Sequence, residues 1–518
     1  MKNIAICADG TGNTTIKGRG TNVFKLYEAV DQAGHRFTPG LTPQVALYHD
    51  GVGTESVKWF RLLTGATGWG LSRNVKQLYG ELARVYAPGD KIFLFGFSRG
   101  AFTVRTLAGL IHACGVLDLS KYDTNAAFDG GVEAAYREYR QHYNSWLTRL
   151  FHKTQKLDGK RLAELRQKFS VAIPEFEDEK KHGKLIEFMG VWDTVDAVGL
   201  PIAAAEFVNR MIYAYKFPDR TLSTSVAHAC HALALDEERE NFKPVLWNES
   251  ITTDPQRIEQ VWFAGVHSNV GGGYPRQGMS LVALDWIMAK AEAAPHNLRF
   301  VAAERQMYRY HADVDDKLYD SRAGVGVFYR WLPRNVQQLC AENGITPKVH
   351  RSVFERIARN TEGYAPGSIP SDPEVISMSQ PAAVTDAIRT LVRDHHRPLG
   401  PLIDRAATTQ CIGRWSYRLF IYAVLLTVFF MVRGFVGSAR QGTTTSWEVA
   451  VNLANTIFSS QWIGLALQVL WEHPWLIAWF ALTLALALWV DDRLDRSYSQ
   501  FWHEDNMRWK LRKVLGLG

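Results

Sequence analysis

The sequence predicts an α/β fold, built on a mostly parallel sheet with helical insertions and followed by a C-terminal hairpin of two transmembrane helices. Three observations predict it. Four apolar runs of strand length each stop at a turn that carries a chemically capable side chain, namely Asp9, Ser98, Asp193 and His267. Helix-spaced segments lie between them, as a parallel sheet requires of its crossovers. Beyond Pro401 the composition shifts to long uncharged stretches with tryptophans near their ends.

The bulk properties agree with a globular body. The chain has 518 residues, 47% hydrophobic and 21% charged, which excludes a disordered polyelectrolyte. Its net charge of +7 comes with signs mixed along the chain and no basic block, so nucleic acid is not expected as a partner. Five cysteines, Cys7, Cys114, Cys230, Cys340 and Cys411, show no metal-type spacing along the chain. Their odd number argues for reduced thiols rather than a disulfide framework, and neither a metal nor a cofactor is expected.

The first strand pattern begins at once, in Asn3-Ile4-Ala5-Ile6-Cys7-Ala8, with no signal-peptide pattern before it. It runs into Asp9-Gly10-Thr11-Gly12-Asn13, a glycine-rich turn whose backbone at Gly10 and Thr11 is placed to give one amide of an oxyanion hole. Asp9 would hold that loop or bind a cation. The segment Gly65 to Asn74 is also glycine-rich but lacks the Gly-Lys-Ser/Thr of a phosphate loop, and it turns helical through Val75, Leu78, Leu82 and Val85.

The second strand, Lys91 to Phe97, leads through Gly96-Phe97-Ser98-Arg99-Gly100 into an apolar helix. A strand, Gly-x-Ser-x-Gly and a helix in that order form a nucleophile elbow. The glycines leave room where the chain doubles back, the turn lifts Ser98 Oγ above the sheet edge, and the Arg99 N–H points where an oxyanion would form. Residues 121–184 then read as charged, aromatic helices, either a lid or a permanent helical layer.

A third strand pattern ends in Trp192-Asp193-Thr194-Val195-Asp196, and a fourth in Gly265-Val266-His267-Ser268-Asn269-Val270-Gly271-Gly272-Gly273. Reactive groups of open parallel sheets gather beyond the carboxyl ends of the strands, so these turns face one crevice. Serine attack at neutral pH needs an imidazole to take the proton and a carboxylate to fix its tautomer. Ser98, His267 and Asp193 fill those roles in the chain order Ser, Asp, His of an α/β-hydrolase. Asp196 and Asp236 are competing acids, and His228, His231, His311 and His350 competing bases, none after a clear strand.

Six blocks then make a resemblance. They are Asp9-Gly10-Thr11-Gly12-Asn13, Gly65-Ala66-Thr67-Gly68, the elbow from Gly89 to Arg105, Gly190-Val191-Trp192-Asp193-Thr194-Val195, Asp236-Glu237-Glu238-Arg239 and Gly265 to Tyr274. In this order they resemble the α/β-hydrolase family of class-one type VI secretion lipase effectors, from Met1 to about Arg276 and more weakly towards Arg359. The resemblance implies phospholipase A-type ester hydrolysis with Ser98 as nucleophile, membrane phospholipid as substrate, and a regulatory or immunity protein as partner. Effectors of this kind often carry His-Ser-Asp; here His267-Ser268-Asn269 keeps the base and removes a nearby charge.

The chain therefore divides into a catalytic domain over 1–400 and a membrane region over 401–518, with helices expected at about 415–433 and 463–490, the second with a restart at Pro474. Basic residues flank both ends, Arg405, Arg414 and Arg418 before and Arg493 to Lys513 after, which places both ends and the catalytic domain on the cytoplasmic side. Arg508 to Lys513 would lie along an anionic leaflet. The expected activity is serine-dependent lipid ester hydrolysis. The rivals are a metal-dependent phosphoesterase using Asp9, Asp193 and His267, and a non-catalytic membrane subunit that binds a partner.

Overall fold

A computed structural model describes residues 1–10, 20–51, 69–141, 158–171, 184–195, 221–250, 254, 256–440 and 461–517. Thr11, residues 65–68, Asp196 and parts of the 121–184 insertion lie outside the described residues. Among the described residues, eight strands form one sheet in the order β2-β1-β3-β4-β5-β6-β7-β8, with every pairing parallel. They are β1 Asn3–Ala8, β2 Gln44–His49, β3 Lys91–Phe97, β4 Ile186–Trp192, β5 Val226–Ala234, β6 Ile258–Phe263, β7 Lys348–His350 and β8 Glu374–Ile376.

Apolar runs make this sheet because both of its faces are covered, so no polar alternation is needed. Within β1, Ile4 and Ile6 enter one core while Ala5 and Cys7 enter the other; in β3, Ile92 and Leu94 alternate in the same way with Phe93, Phe95 and Phe97. The first core is closed by α2 Trp69–Val85, α3 Arg99–Cys114, α4 Asn125–Gln141 and α5 Gly159–Phe169. The second is closed by α1 Asn22–Ala29, α7 Gly278–Glu292 and α8 Ala302–His311, with the short α6 His267–Gly271 at its rim; the short α9 Val336–Ala341 follows later in the chain. In the insertion, α4 and α5 bury Phe128, Val132, Leu165 and Phe169 in the first core, so these two helices form part of the fixed helical layer.

Four strands agree with the sequence reading and four were not read there. β5 overturns one statement about the competing residues: His228 and His231 lie inside it, and Asp236 follows it. The winding reverses at β1, which has β2 on one side and β3 on the other, and this opens the crevice beside Ser98.

The chain forms two compact units: Met1–Tyr329 with Pro333–His396 and Asn506–Gly518, and Arg330–Leu332 with Arg397–Asp505. The division falls between His396 and Arg397, and the end of the chain returns to the first unit. After the second unit, α14 Met507–Leu515 packs on α10 Arg351–Arg359 of the first, burying Met507, Leu511 and Leu515. Arg508 is buried and donates to the carbonyls of Ile357 (2.6 Å) and Tyr364 (3.0 Å), so it does not lie along a membrane leaflet.

The second unit consists of the later part of α11 Ala382–Arg440, together with α12 Gln461–Glu472 and α13 Pro474–His503. Pro398 and Pro401 fall inside α11 next to the division between units, and Pro474 starts α13, as its missing N–H allows. α11 and α13 each contain a stretch long and apolar enough to cross a membrane. They meet through Ser416 Oγ, which donates to the Thr483 carbonyl (3.0 Å), and through Gln410 Nε2, which donates to Tyr498 OH (2.9 Å). Leu425, Phe429, Leu482, Leu484 and Leu488 face outward and are each more than half exposed.

Candidate active site

The elbow is built by close approach. A Cβ on Gly96 would fall 2.6 Å from the Gly100 carbonyl oxygen, and one on Gly100 would collide with the Ala8 carbonyl at the end of β1. Ser98 sits between them at φ 57°, a left-handed conformation that costs a non-glycine residue energy and persists only where the surroundings enforce it. Its own N–H donates to Trp192 O (3.0 Å), which ties the elbow to β4. Arg99 is the first residue of α3, so its amide lies at the positive end of the helix dipole.

Asp193 directly follows β4, also at positive φ (35°), and its carboxylate is fully buried. Its Oδ2 lies 2.6 Å from His267 Nδ1, which leaves Nε2 as the nitrogen available for proton transfer. His267 opens α6, and its backbone N–H donates to Glu237 Oε2 (3.2 Å). The ring lies between Phe97 and Phe242, with centroids 4.6 and 4.9 Å away. Burial lowers the imidazole pKa, and the hydrogen bond and charge of Asp193 only partly restore it. Gly271 permits this packing, because a Cβ there would run into the Phe97 ring. Phe97 is the residue before Ser98, so the base packs beside the nucleophile's strand. Among the described residues no hydrogen bond joins Ser98 Oγ to the imidazole.

Arg334 is the residue that sequence reasoning missed. Its two terminal nitrogens donate to Asp193 Oδ1 (2.7 Å) and Oδ2 (2.9 Å), and also to the carbonyls of Ala234 and Phe242 (both 2.5 Å). Burial would raise the Asp193 pKa; Arg334 and His267, through charge and hydrogen bonds, outweigh it and hold the carboxyl far below its usual range. Nothing local in Leu332-Pro333-Arg334-Asn335 signals this, since the partner is 141 residues away.

The Asp236-Glu237-Glu238-Arg239 block supports the base. Asp236 Oδ2 accepts from the Gly265 N–H (2.6 Å) and Tyr364 OH (2.8 Å) and fixes the turn before His267. Glu237 is buried and is held at a pKa of about 2, where its hydrogen bond and ion pair with Arg239 overcome the effect of burial. The Arg239 guanidinium lies 3.6 Å over the Phe242 ring, which itself packs on His267. Asn269 uses its side chain to pin the following loop, donating to Lys317 O (3.0 Å) and accepting from Tyr319 N (3.3 Å).

Several other candidates have different partners. His231 Nε2 accepts the Thr194 N–H (3.0 Å), and burial together with Arg105 pushes its pKa down to about 3, so it is a neutral prop for the Asp193 turn. His350 caps α10 and stacks on Phe263 (4.5 Å). Asp9 accepts from Thr21 Oγ1 (2.6 Å) and Tyr48 OH (2.8 Å), which holds the start of the glycine-rich loop. Gly10 corrects an expectation: its N–H is taken by Asp9 Oδ1 (2.6 Å), so it does not point into the crevice as an oxyanion donor. Nor do Asp9, Asp193 and His267 suit a divalent cation, because Asp193 already carries the charge of Arg334 on both oxygens.

Residues 2–290, more than half of the chain, match the family described as the catalytic domain of Tle1-like phospholipase effectors of type VI secretion systems. An uncharacterized protein of Saccharomyces cerevisiae is 29% identical over 255 residues, which are 47% of this chain and 32% of that relative. The aligned part thus spans about a third of the relative's length. A crystal structure of an uncharacterized protein from Pseudomonas aeruginosa aligns over 99% of this chain and 66% of that one, at 15% identity and a TM-score of 0.31.

Proposed function

The chain belongs to the family of Tle1-like phospholipase effectors of type VI secretion, and from that premise we propose that it is a serine-dependent, phospholipase A-type lipid ester hydrolase. The observation that carries the mechanism is the 2.6 Å contact between Asp193 and His267, beside an elbow that holds Ser98 at φ 57°. His267 Nε2 takes the Ser98 proton as Oγ attacks the acyl carbonyl, and Asp193 stabilises the imidazolium that forms. The Arg99 N–H, at the start of α3, receives the developing oxyanion. The imidazolium then protonates the departing lysolipid alcohol, leaving acyl-Ser98, which water cleaves by the same relay.

The second unit supports a membrane as the source of substrate. Outward-facing leucines on α11 and α13, with Phe429, suit lipid contact, and Trp415, Trp471, Trp475 and Trp489 are exposed where an interfacial belt would lie. Two spans return the chain to the side on which it entered, and the basic residues before and after them favour the cytoplasmic side for the hydrolase body. Anchoring replaces a bulk encounter with a local one.

The test is Ser98→Ala in the full chain, assayed by fatty acid release from phosphatidylcholine vesicles. Release should fall at least ~10⁴-fold, and a fluorophosphonate probe should label only the wild type. Equal release by the variant would end the serine mechanism. Chelator-sensitive release of phosphate would favour the phosphoesterase reading instead.

A further inference from the structure

A second cluster of chemically active side chains lies at the other end of the sheet. His228 is near the start of β5, Glu187 near the start of β4 and Glu259 near the start of β6, whereas Ser98, Asp193 and His267 all follow strand ends. His228 and Cys230 are two apart on β5 and therefore share a face, and Cys230 pairs in register with Glu259 on β6. This spacing across strands is invisible to a count of cysteines along the chain. His228 Nε2 lies 3.9 Å from Cys230 Sγ and 3.6 Å from Glu259 Oε1, and one ligand-type atom from each of the three residues lies within 4.8 Å of the others.

The hydrogen-bond chain behind His228 fixes which nitrogen faces this cluster. His296 Nδ1 lies 2.9 Å from Glu187 Oε1, so it must carry a proton. In neutral His296, Nε2 is then an acceptor, and it lies 3.1 Å from His228 Nδ1, which must therefore donate. His228 Nε2, on the far side of the ring from this chain, faces the Glu259 carboxylate and the Cys230 thiol, a position that a proton or a metal ion fills. A carboxylate relay that orients a histidine through its other nitrogen is the usual outer shell of a metal ligand.

We propose that His228, Cys230 and Glu259 bind a divalent transition-metal ion of the zinc class, with His296 and Glu187 as the positioning pair. Imidazole, thiolate and carboxylate together select such an ion over magnesium or calcium. Metal bonds of ~2.0–2.3 Å set tetrahedral ligand spacings of roughly 3.3–3.7 Å, so atoms lying within 4.8 Å of one another need to close by at most ~1.5 Å. Water takes the remaining position. Lys290 Nζ, 2.6 Å from Glu259 Oε1, neutralises the carboxylate until the ion displaces it from that oxygen. The thiol of Cys230 is buried, while His228 and Glu259 are partly exposed and give the ion a way in. So placed, the ion would staple β5 to β6 and take no part in the ester chemistry.

The experiment uses the full chain in detergent micelles, stripped with a chelator and titrated with cobalt(II). One equivalent should produce tetrahedral ligand-field bands and a thiolate-to-cobalt charge-transfer band, both lost on adding zinc. Cys230→Ser should lose the charge-transfer band, and His296→Gln should keep it with affinity weakened about 10–100-fold. Should Cys230→Ser not fold, Glu259→Gln should retain the charge-transfer band at reduced affinity. Zinc should raise the thermal unfolding midpoint of the wild type and leave its rate on a soluble ester, measured well below that midpoint, unchanged. A charge-transfer band that survives Cys230→Ser, as binding at the exposed Cys411 would give, overturns the proposal. So does the absence of any band at stoichiometric cobalt, which would leave a proton on His228 Nε2 in that position.

Discussion

The Arg334 guanidinium can be removed while most of its stem is kept, in Arg334→Met. In the wild type the Asp193 carboxylate receives two guanidinium bonds (2.7 and 2.9 Å), the imidazole (2.6 Å) and the Ala234 N–H (3.0 Å), all out of contact with water. Losing one partner of a buried ion pair typically costs about 3–5 kcal/mol, because the other charge stays desolvated. The sign with pH follows from the low carboxyl pKa in the folded state: the stabilisation is fully present above the unfolded carboxylate range and is lost as pH falls through and below it. In the variant the carboxyl rises towards the value that burial dictates, so less of that stabilisation exists to be lost. The gap between the two proteins should therefore be widest near about pH 8 and shrink in acid. Denaturant unfolding across pH measures it, alongside kcat on a soluble short-chain ester. Misplacement of the imidazole should cost kcat about 100-fold with KM nearly unchanged. A variant within about 1 kcal/mol of the wild type at neutral pH, or a deficit independent of pH, would refute the ion-pair argument.

Two further outcomes follow from the same geometry. The acid limb of kcat/KM should have its midpoint below the ordinary imidazole value of 6.5, because burial between Phe97 and Phe242 disfavours the protonated base. A pH–rate profile on a soluble ester checks this, and a midpoint above 6.5 would contradict it. Deleting residues 506–518 should destabilise the hydrolase body, since Met507, Leu511 and Leu515 are worth about 1.5–3 kcal/mol each when buried. Differential scanning calorimetry should show the body's transition lowered or gone; an unchanged transition would mean that α14 is dispensable.

Much of the site was legible because each of its three main side chains closes a readable strand. The runs ending at Ser98, Asp193 and His267 are rich in aromatic and branched residues and stop at glycines or acids, so periodicity and punctuation agree. β5 was not legible. Val226-Ala227-His228-Ala229-Cys230-His231-Ala232-Leu233-Ala234 has little intrinsic strand preference, and it is a strand because β4 and β6 flank it. β7 and β8 have three residues each, too few for a pattern to show. Arg334 and the His228 cluster depend on contacts between distant segments, which no local window contains. The C-terminal helix carries two signals at once: its apolar residues at 507, 511 and 515 keep the helical repeat that buries it, while the basic residues between them look equally suited to an anionic surface.

Because α14 follows the two long apolar helices in the chain and yet completes the first unit, the apolar pair is an insertion within the hydrolase body and not a tail behind it. During synthesis the groove on α10 must wait until more than a hundred further residues have been made and the apolar pair has found its own environment. A polypeptide that stalls or is cut within that pair keeps Ser98, Asp193 and His267 but lacks the helix that closes the body over Ile357 and Tyr364. Maturation of the first unit is in this way tied to completion of the second, through covalent order alone.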